Sequence, residues 1–380
     1  PPEALTTDLE SVVADPEIDI VVELLGGLEP ARSLILKAIA QGKHVVTANK
    51  AVIARYGDEI YTAANEAGVY VLLEAAVGGG IPIIEPLKQS LGANRIHRVT
   101  GIVNGTTNYI LTQMTAAGAD FGAVLAEAQA LGYAEADPTA DVDGLDAADK
   151  IAILASLAFG GRVKREDVHC EGIVQVSAVD INYADKLGFV IKLLAIAQKA
   201  QNQETNALEV RVHPTLVPKS HPLASINGVY NAILVEGEPL GQVMFFGPGA
   251  GAGPTASAVV SDIMNIVGVL KSSGKTQTLD PLLSCSHQDY CAIIPIEEVV
   301  TRFYTRFLTH DVPGVIGYLG TCFGNHGVSL ESVVQIGFQN KLAEIVVVTH
   351  DVREGDFRAA LDEIHSLEAI HSIPSILRVL

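Results

Sequence analysis

The sequence predicts an α/β protein of three units: a truncated Rossmann-like parallel sheet, an α+β domain, and a ferredoxin-like βαββαβ module. Three observations predict it. Near the N-terminus, apolar strand-like runs alternate with helix-like stretches that end in glycine. The middle of the chain mixes helical and strand patterns between glycine-rich turns. The C-terminal part runs strand, helix, strand, strand, helix, strand. A length of 380 residues accommodates two or three domains of roughly 100–200 residues each.

The first unit covers residues 1–75. Ile18–Leu25 (IDIVVELL) is a nearly continuous apolar run, the pattern of a strand covered on both faces. Gly26 and Gly27 follow, and Pro30 opens a helix that stops at Gly42. His44–Ala48 reads as the next strand, Ala51–Ala67 as a helix ended by Gly68, and Val69–Ala75 as a third strand. No G-x-G-x-x-G turn precedes Ile18, so the phosphate-binding strand of a dinucleotide fold is expected to lie outside this sequence. There is no initiator methionine, and residues are expected to be missing upstream.

The second unit covers 76–295. Helices are expected at Phe121–Leu131, Ala147–Phe159, Asp185–Ala200 and Ala256–Leu270. Strands are expected at Ala207–Pro214, Ala232–Glu236 and Gln242–Phe246. Ser272–Asp280 is polar and linker-like. The third unit, 301–380, has strands at Phe303–Thr309, Val328–Phe338, Leu342–Thr349 and Ile376–Leu380, with helices over 311–327 and Asp356–Ser366.

Composition excludes several classes. Forty-four acidic against 25 basic residues give a net charge of −19, which argues against nucleic acid as partner. Hydrophobic residues at 48% supply sizeable cores. No uninterrupted apolar run reaches the roughly 18 residues a membrane span needs, and no secretory signal opens the chain. Four scattered cysteines read as reduced thiols, with the cytoplasm as the default compartment. Cys285, His287 and Cys291 do not match a zinc spacing.

The candidate chemistry lies in a few stretches. Lys50, after Asn49, sits at the carboxyl end of a parallel strand, where open α/β sheets bind ligands; the alternative is a surface lysine in a first helical turn. Glu135, Asp137, Asp141, Asp143, Asp146 and Asp149 crowd together before Lys150 and repel one another unless a cation or polar ligand sits among them. An EF-hand is excluded because Lys150 stands where its bidentate glutamate belongs. Asp146 and Lys150 share a helix face, and the apolar run after Lys150 buries that helix. A lysine there suits general acid–base work; an ordinary surface ion pair is the bland alternative. Glu74, beside Gly78–Gly80, can gather backbone carbonyls around a hard cation or simply cap the next helix. Asn104–Asn108 can hold an anion or serve as an N-cap. Gly247, Gly249 and Ala252 fit G-x-G-x-x-A between a strand and a helix, though no acidic strand end follows.

Together, VVTANK, EAAVGGGIPII, GIVNGTTNYIL, Ala128–Lys150 and GPGAGAGPTASAVVSDI resemble, in order, the motifs of homoserine dehydrogenases. The last unit, with Asp311, Pro313 and Gly314 after its first strand, resembles an ACT domain, an amino-acid-binding regulatory module. The resemblance implies a partial NAD(P)-binding domain, a catalytic and dimerisation domain, and an ACT domain. It implies NAD(P)H-dependent reduction of L-aspartate 4-semialdehyde to L-homoserine, on the route to threonine, methionine and isoleucine. Lys150 would be the acid–base on the reacting oxygen and Lys50 the second lysine, beside nicotinamide and substrate. Glu135 and Asp146 would hold the substrate ammonium, supported by Asp141. Thr106 and Tyr133 would line the pocket. Asn49, Lys50, Gly132, Gly249 and Gly251 would meet NADP or NAD. Glu74, with the carbonyls of Val77, Gly79 and Ile81, would form a monovalent cation site for sodium or potassium. A homodimer or homotetramer is implied, with threonine the expected effector, and neither membrane nor nucleic acid as partner.

Family members carry a G-x-G-x-x-G strand ahead of a segment like Thr6–Gly27. Without it, cofactor affinity is expected to be badly reduced. A competing reading therefore makes this chain a cofactor-deficient amino-acid-binding and ACT module. A third is a related dehydrogenase acting on another small carbonyl compound.

Overall fold

The computed structural model describes residues 5–200, 207–272, 279–285, 287, 289–339 and 342–380. Helix α1 (Leu9–Ala14) is capped by the Asp8 carboxylate. Strands β1 (Ile20–Glu23), β2 (His44–Thr47) and β3 (Val71–Leu72) form a parallel sheet in the order β1-β2-β3, linked by α2 (Ala31–Ala40) and α3 (Lys50–Ala67). Gly68 ends α3 in the left-handed conformation. The third strand is shorter than expected, because the chain turns into a single 3₁₀ turn, Glu74–Ala76, before α4 (Ile84–Lys88). Ile18–Leu25 is not covered on both faces either. β1 is an edge strand, and Val22, Leu24 and Leu25 are exposed.

The middle of the chain builds a large mixed sheet. Its elements are β4 (Arg95–Ile102), α5 (Gly105–Ala117), α6 (Phe121–Ala130), α7 (Thr139–Val142), α8 (Leu145–Phe159), β5 (His169–Cys170), α9 (Ala178–Lys186), β6 (Phe189–Lys199), β7 (Leu208–Pro218), β8 (Tyr230–Glu238), β9 (Gly241–Pro248) and α10 (Ala252–Ser272). Only the beginning of the helix expected over Asp185–Ala200 is helical. Gly188, at φ +87°, breaks the chain after α9, and the apolar run beyond it is a strand. β6 lies between β7 and β4 and is buried along most of its length. A short apolar run buried all round carries no period that separates helix from strand. The linker expected over Ser272–Asp280 lies mostly outside the described residues.

The C-terminal module consists of β10 (Val300–His310), α11 (Val315–Asn325), β11 (Leu330–Gln339), β12 (Leu342–Thr349), the short β13 (Val352–Arg353), α12 (Glu354–His365) and β14 (Ile370–Val379). This is βαββαβ with one added bridge. Its core stacks Phe303 on Phe357 at 3.9 Å between ring centres, with Phe307 and Phe323 alongside. The module's sheet does not stand apart. β14 pairs in parallel with β7, Arg378 opposite Thr215 and Val379 opposite Leu216. The result is one 11-stranded sheet whose main path runs β11-β12-β10-β14-β7-β6-β4-β8-β9.

Among the described residues, α10 alone is long and apolar enough by length and composition to cross a membrane, with a mean hydropathy of 1.3. It packs Ala258, Val259 and Ile266 against Val46, Tyr70 and Leu72 of the parallel-sheet unit. Its Asp262 accepts the Glu74 backbone amide at 2.9 Å.

Candidate active site

Three junctions converge at the carboxyl edge of the parallel sheet. Asn49 caps α3 through the Val52 amide and donates to the Gly27 carbonyl at 2.8 Å, which fixes the turn after β2 against the turn after β1. Lys50 is therefore the first residue of α3 and points from that edge. Behind it, Thr47 donates to the buried Glu23 carboxylate at 2.7 Å. The second junction is β4 into α5, where Asn104 caps α5 through the Thr107 amide. The third is Gly144, at φ +79°, which opens α8 with Asp146 in its first turn.

These junctions bring both lysines to one carboxylate. Lys150 Nζ donates to Asp146 Oδ2 at 2.7 Å and to the Val103 carbonyl at 2.7 Å. Lys50 Nζ lies 3.0 Å from Asp146 Oδ1. Asn104 Nδ2 donates to Asp146 Oδ2 at 2.9 Å and to Asp141 Oδ1 at 2.7 Å. Lys150 and Asp146 are buried, while the Lys50 side chain is 40% exposed. Burial by itself would raise the Asp146 pKa, but the two ammonium groups and the Asn104 amide hold it well below the ordinary carboxylate range. Burial by itself would lower the Lys50 pKa, but Asp146 outweighs it and keeps that amine above its usual value. The site thus holds two ammonium groups on one carboxylate, one in the protein core and one facing outward.

Asp149, on the next face of α8, braces the helix. It receives Arg165 Nε at 2.9 Å and Arg55 Nη1 at 3.1 Å. The crowded carboxylates thus divide into Asp146 and Asp149, held by cations, Asp141, half-buried under the Asn104 amide, and the exposed Glu135, Asp137 and Asp143.

The other expected site residues fall into distinct places. Thr106 donates to the Tyr133 carbonyl at 2.7 Å, and the Tyr133 ring packs 4.9 Å from that of Tyr109. Glu135 is exposed on the same 131–138 turn, and its carboxylate joins none of the contacts around Asp146. Gly132, at φ +75°, has open space where a side chain would stand. Gly249 and Gly251 lie in the turn between β9 and α10, the expected strand–helix context. That turn presses on the Glu74–Ile81 loop: a Cβ on Gly79 would sit 2.4 Å from the Gly249 carbonyl oxygen.

Glu74 does cap. Its carboxylate accepts the amides of Ile83, Ile84 and Glu85 at 2.6, 2.9 and 2.9 Å. The carbonyls of Val77, Gly79 and Ile81 accept no hydrogen bond from a described residue. No group of three or more His, Cys, Asp or Glu suited to a metal occurs among the described residues. Cys285 and His287 approach to 3.6 Å, and all four cysteines are free. A pocket between α3 and α8 is lined by Tyr61, Arg162 and Tyr290, with Arg55 and Arg165 on its wall, and by neither Lys50 nor Lys150.

Sequence reading offered Asn104 as an anion holder or N-cap, and it is both, but missed its link to Asp146 and the Val103 carbonyl. Both lie at a strand end far from the acidic run, and only the tertiary fold joins them to it. A polar residue directly after a buried strand and before a helix was the available signal.

A family model described as homoserine dehydrogenase matches residues 82–264, one described as its NAD-binding domain matches 1–74, and an ACT domain model matches 303–369. The homoserine dehydrogenase of Synechocystis sp. is 75% identical over all 380 residues, which span 88% of that protein. The Pseudomonas aeruginosa homoserine dehydrogenase is 44% identical over 96% of this chain and 84% of its own length. Among solved structures, a homoserine dehydrogenase from Thiobacillus denitrificans superposes with a TM-score of 0.94 at 44% identity, covering 99% of this chain and 85% of that one. A hyperthermophilic archaeal homoserine dehydrogenase in complex with NADPH gives a TM-score of 0.60 at 31% identity over 69% of this chain and 76% of that one.

Proposed function

This chain belongs to the homoserine dehydrogenase family, and from that membership we propose how its side chains carry the family's reaction. The reaction is the NAD(P)-dependent interconversion of L-aspartate 4-semialdehyde and L-homoserine. The observation that carries the assignment is the Lys150–Asp146–Lys50 arrangement at the carboxyl edge of the sheet. In the reductive direction Lys150 gives a proton to the aldehyde oxygen as negative charge grows there, and Lys50 faces the same oxygen from the open side. Asp146 aligns both amines and holds the Lys50 pKa above its usual value. Asp146 and Glu135 hold the substrate ammonium, with Asp141 in support, and Thr106 and Tyr133 wall the pocket. Glu135 stands on the exposed 131–138 turn, which Thr106 holds through the Tyr133 carbonyl.

The residues present fit a nicotinamide cofactor. The Gly26–Gly27 turn has no side chain and no heavy atom within 4 Å of where one would stand, and Asn49, Lys50, Gly132, Gly249 and Gly251 belong to turns that bound such a site. When bound, NADP or NAD supplies or accepts the hydride. The buried turn after Glu74 suits a monovalent cation, sodium or potassium, through the carbonyls of Val77, Gly79 and Ile81, which accept no hydrogen bond from a described residue. Glu74 would contribute its own carbonyl, since its carboxylate is taken.

At the C-terminal module, an open pocket lined by Asp311, Gly314 and Gln335 suits a small amino acid, with threonine the expected effector. The exposed Met244 and Phe246 on edge strand β9 favour a homodimer or homotetramer. Free cysteines favour the cytoplasm, and the enzyme would serve threonine, methionine and isoleucine biosynthesis. Steady-state oxidation of homoserine with NADP or NAD, followed by nicotinamide absorbance, tests the assignment. Saturable turnover is expected. Homoserine or threonine binding with no nicotinamide reduction would instead support a binding module.

A further inference from the structure

We propose that Arg378, on the last strand of the C-terminal module, is a positioning residue for the catalytic turn Asp141–Asp146, acting through Glu171. The proposal rests on the reading of Asp141, Asp146 and Lys150 as the substrate site. Arg378 is 2% exposed and has carboxylates on both sides of the module boundary. Within the module, Glu354 accepts its Nε at 2.9 Å and its Nη2 at 2.6 Å. Across the boundary, Glu171 accepts Nη1 at 2.9 Å and Nη2 at 2.9 Å, a bidentate contact of fixed geometry. His169 adds a 2.8 Å contact to the same Glu171 carboxylate.

From Glu171 the path to the active site is one tightly sealed seam. The Glu171 amide donates to the Val212 carbonyl on β7 at 2.8 Å. Gly172 lies so close to the catalytic turn that a Cβ would be 2.2 Å from the Val142 oxygen and 2.5 Å from Asp143 Cα. Ile173 donates to that Val142 oxygen at 2.8 Å, and Cys170 Sγ to the Asp143 carbonyl at 3.2 Å. Residues 170–173 are thus fastened to Val142 and Asp143 by two hydrogen bonds and one close backbone approach. The fastened turn leads from Asp141 to Asp146, which hold the Asn104 amide between them. A shift of Glu171 therefore moves the backbone that sets both carboxylates. Because a misplacement near 1 Å can cost up to about 10²-fold in rate, so small a shift is sufficient. It also gives a direct physical route by which occupancy of the C-terminal module reaches the substrate site.

The test compares Arg378→Leu, Arg378→Lys and Glu171→Gln in the full-length protein. Glu171 is partly exposed, so its variant is expected to fold even if Arg378→Leu does not. A residue that only stabilises the fold lowers the melting temperature and the active fraction but leaves KM unchanged. Positioning raises the homoserine KM by about 5- to 50-fold, with Arg378→Lys recovering part of the loss. Glu171→Gln combined with Arg378→Leu should be no worse than the more damaging single change. Wild-type homoserine KM in folded Glu171→Gln and Arg378→Lys would overturn the proposal. Asp146→Asn, run in parallel, separates the two levels: an unchanged KM in that variant refutes the reading of the substrate site, whereas a raised KM there with wild-type values in the others refutes only the relay.

Discussion

Both amines of the site share one carboxylate, so Asp146 decides their position and raises the Lys50 pKa as well. With two cations on it, its folded pKa lies below the unfolded value near 4. It contributes stability above about pH 4, and that contribution is lost as pH falls toward the depressed folded value. Asp146→Asn removes the opposing charge from Lys50, leaving burial as the dominant influence, and the Lys50 pKa falls. The alkaline limb of the kcat/KM profile is expected to move to lower pH, with the plateau falling about 10²-fold. A pH–rate series on both proteins measures this, and an unmoved alkaline limb would count against a shared carboxylate. At this scale much was legible: Asp146 and Lys150 are four apart on a helix, and Lys50 follows a strand end. The Asn104 bridge was not, because no local spacing relates a capping residue on α5 to the acidic run.

At the scale of elements, glycines at turns position the chemistry more than helix propensity does. Gly79 combines φ +56° with a backbone neighbour at 2.4 Å from any added Cβ, whereas Gly42 has φ +72° and open space. Gly42→Ala is expected to cost about 1–2 kcal/mol, the left-handed penalty alone. Gly79→Ala adds a steric clash and should cost about 2–5 kcal/mol in all. Denaturant unfolding of the two variants compares them, and equal losses would remove the steric argument. Strand and helix types were readable where glycine or a cap marked an end, as at Pro30, Gly42 and Gly68. β6 was misread because its eight consecutive buried residues between two neighbouring strands lose the alternation that betrays a half-exposed strand. β3 was overextended because the turn into Glu74 depends on tertiary contacts with α10.

Across the whole molecule, the three-unit plan followed from the order of apolar runs, but their fusion did not. The parallel pairing of β14 with β7 involves residues separated by more than a domain in sequence, and neither strand's pattern names its partner. That pairing matters for the candidate site, since it joins the C-terminal module to the sheet on which the Lys150 helix packs. Buried Arg306, with Asp180 Oδ1 at 2.7 Å, makes a second such bond between the modules. The parallel sheet, the β4–α5 junction and α8 each deliver one piece of the site, and only their common meeting point places Lys150 against Asp146. The most direct test is therefore kinetic and concerns that lysine. In Lys150→Ala, kcat for homoserine oxidation is expected to fall about 10²–10⁴-fold while homoserine still binds, as measured by calorimetry. Turnover near the wild-type rate would contradict the account at its centre.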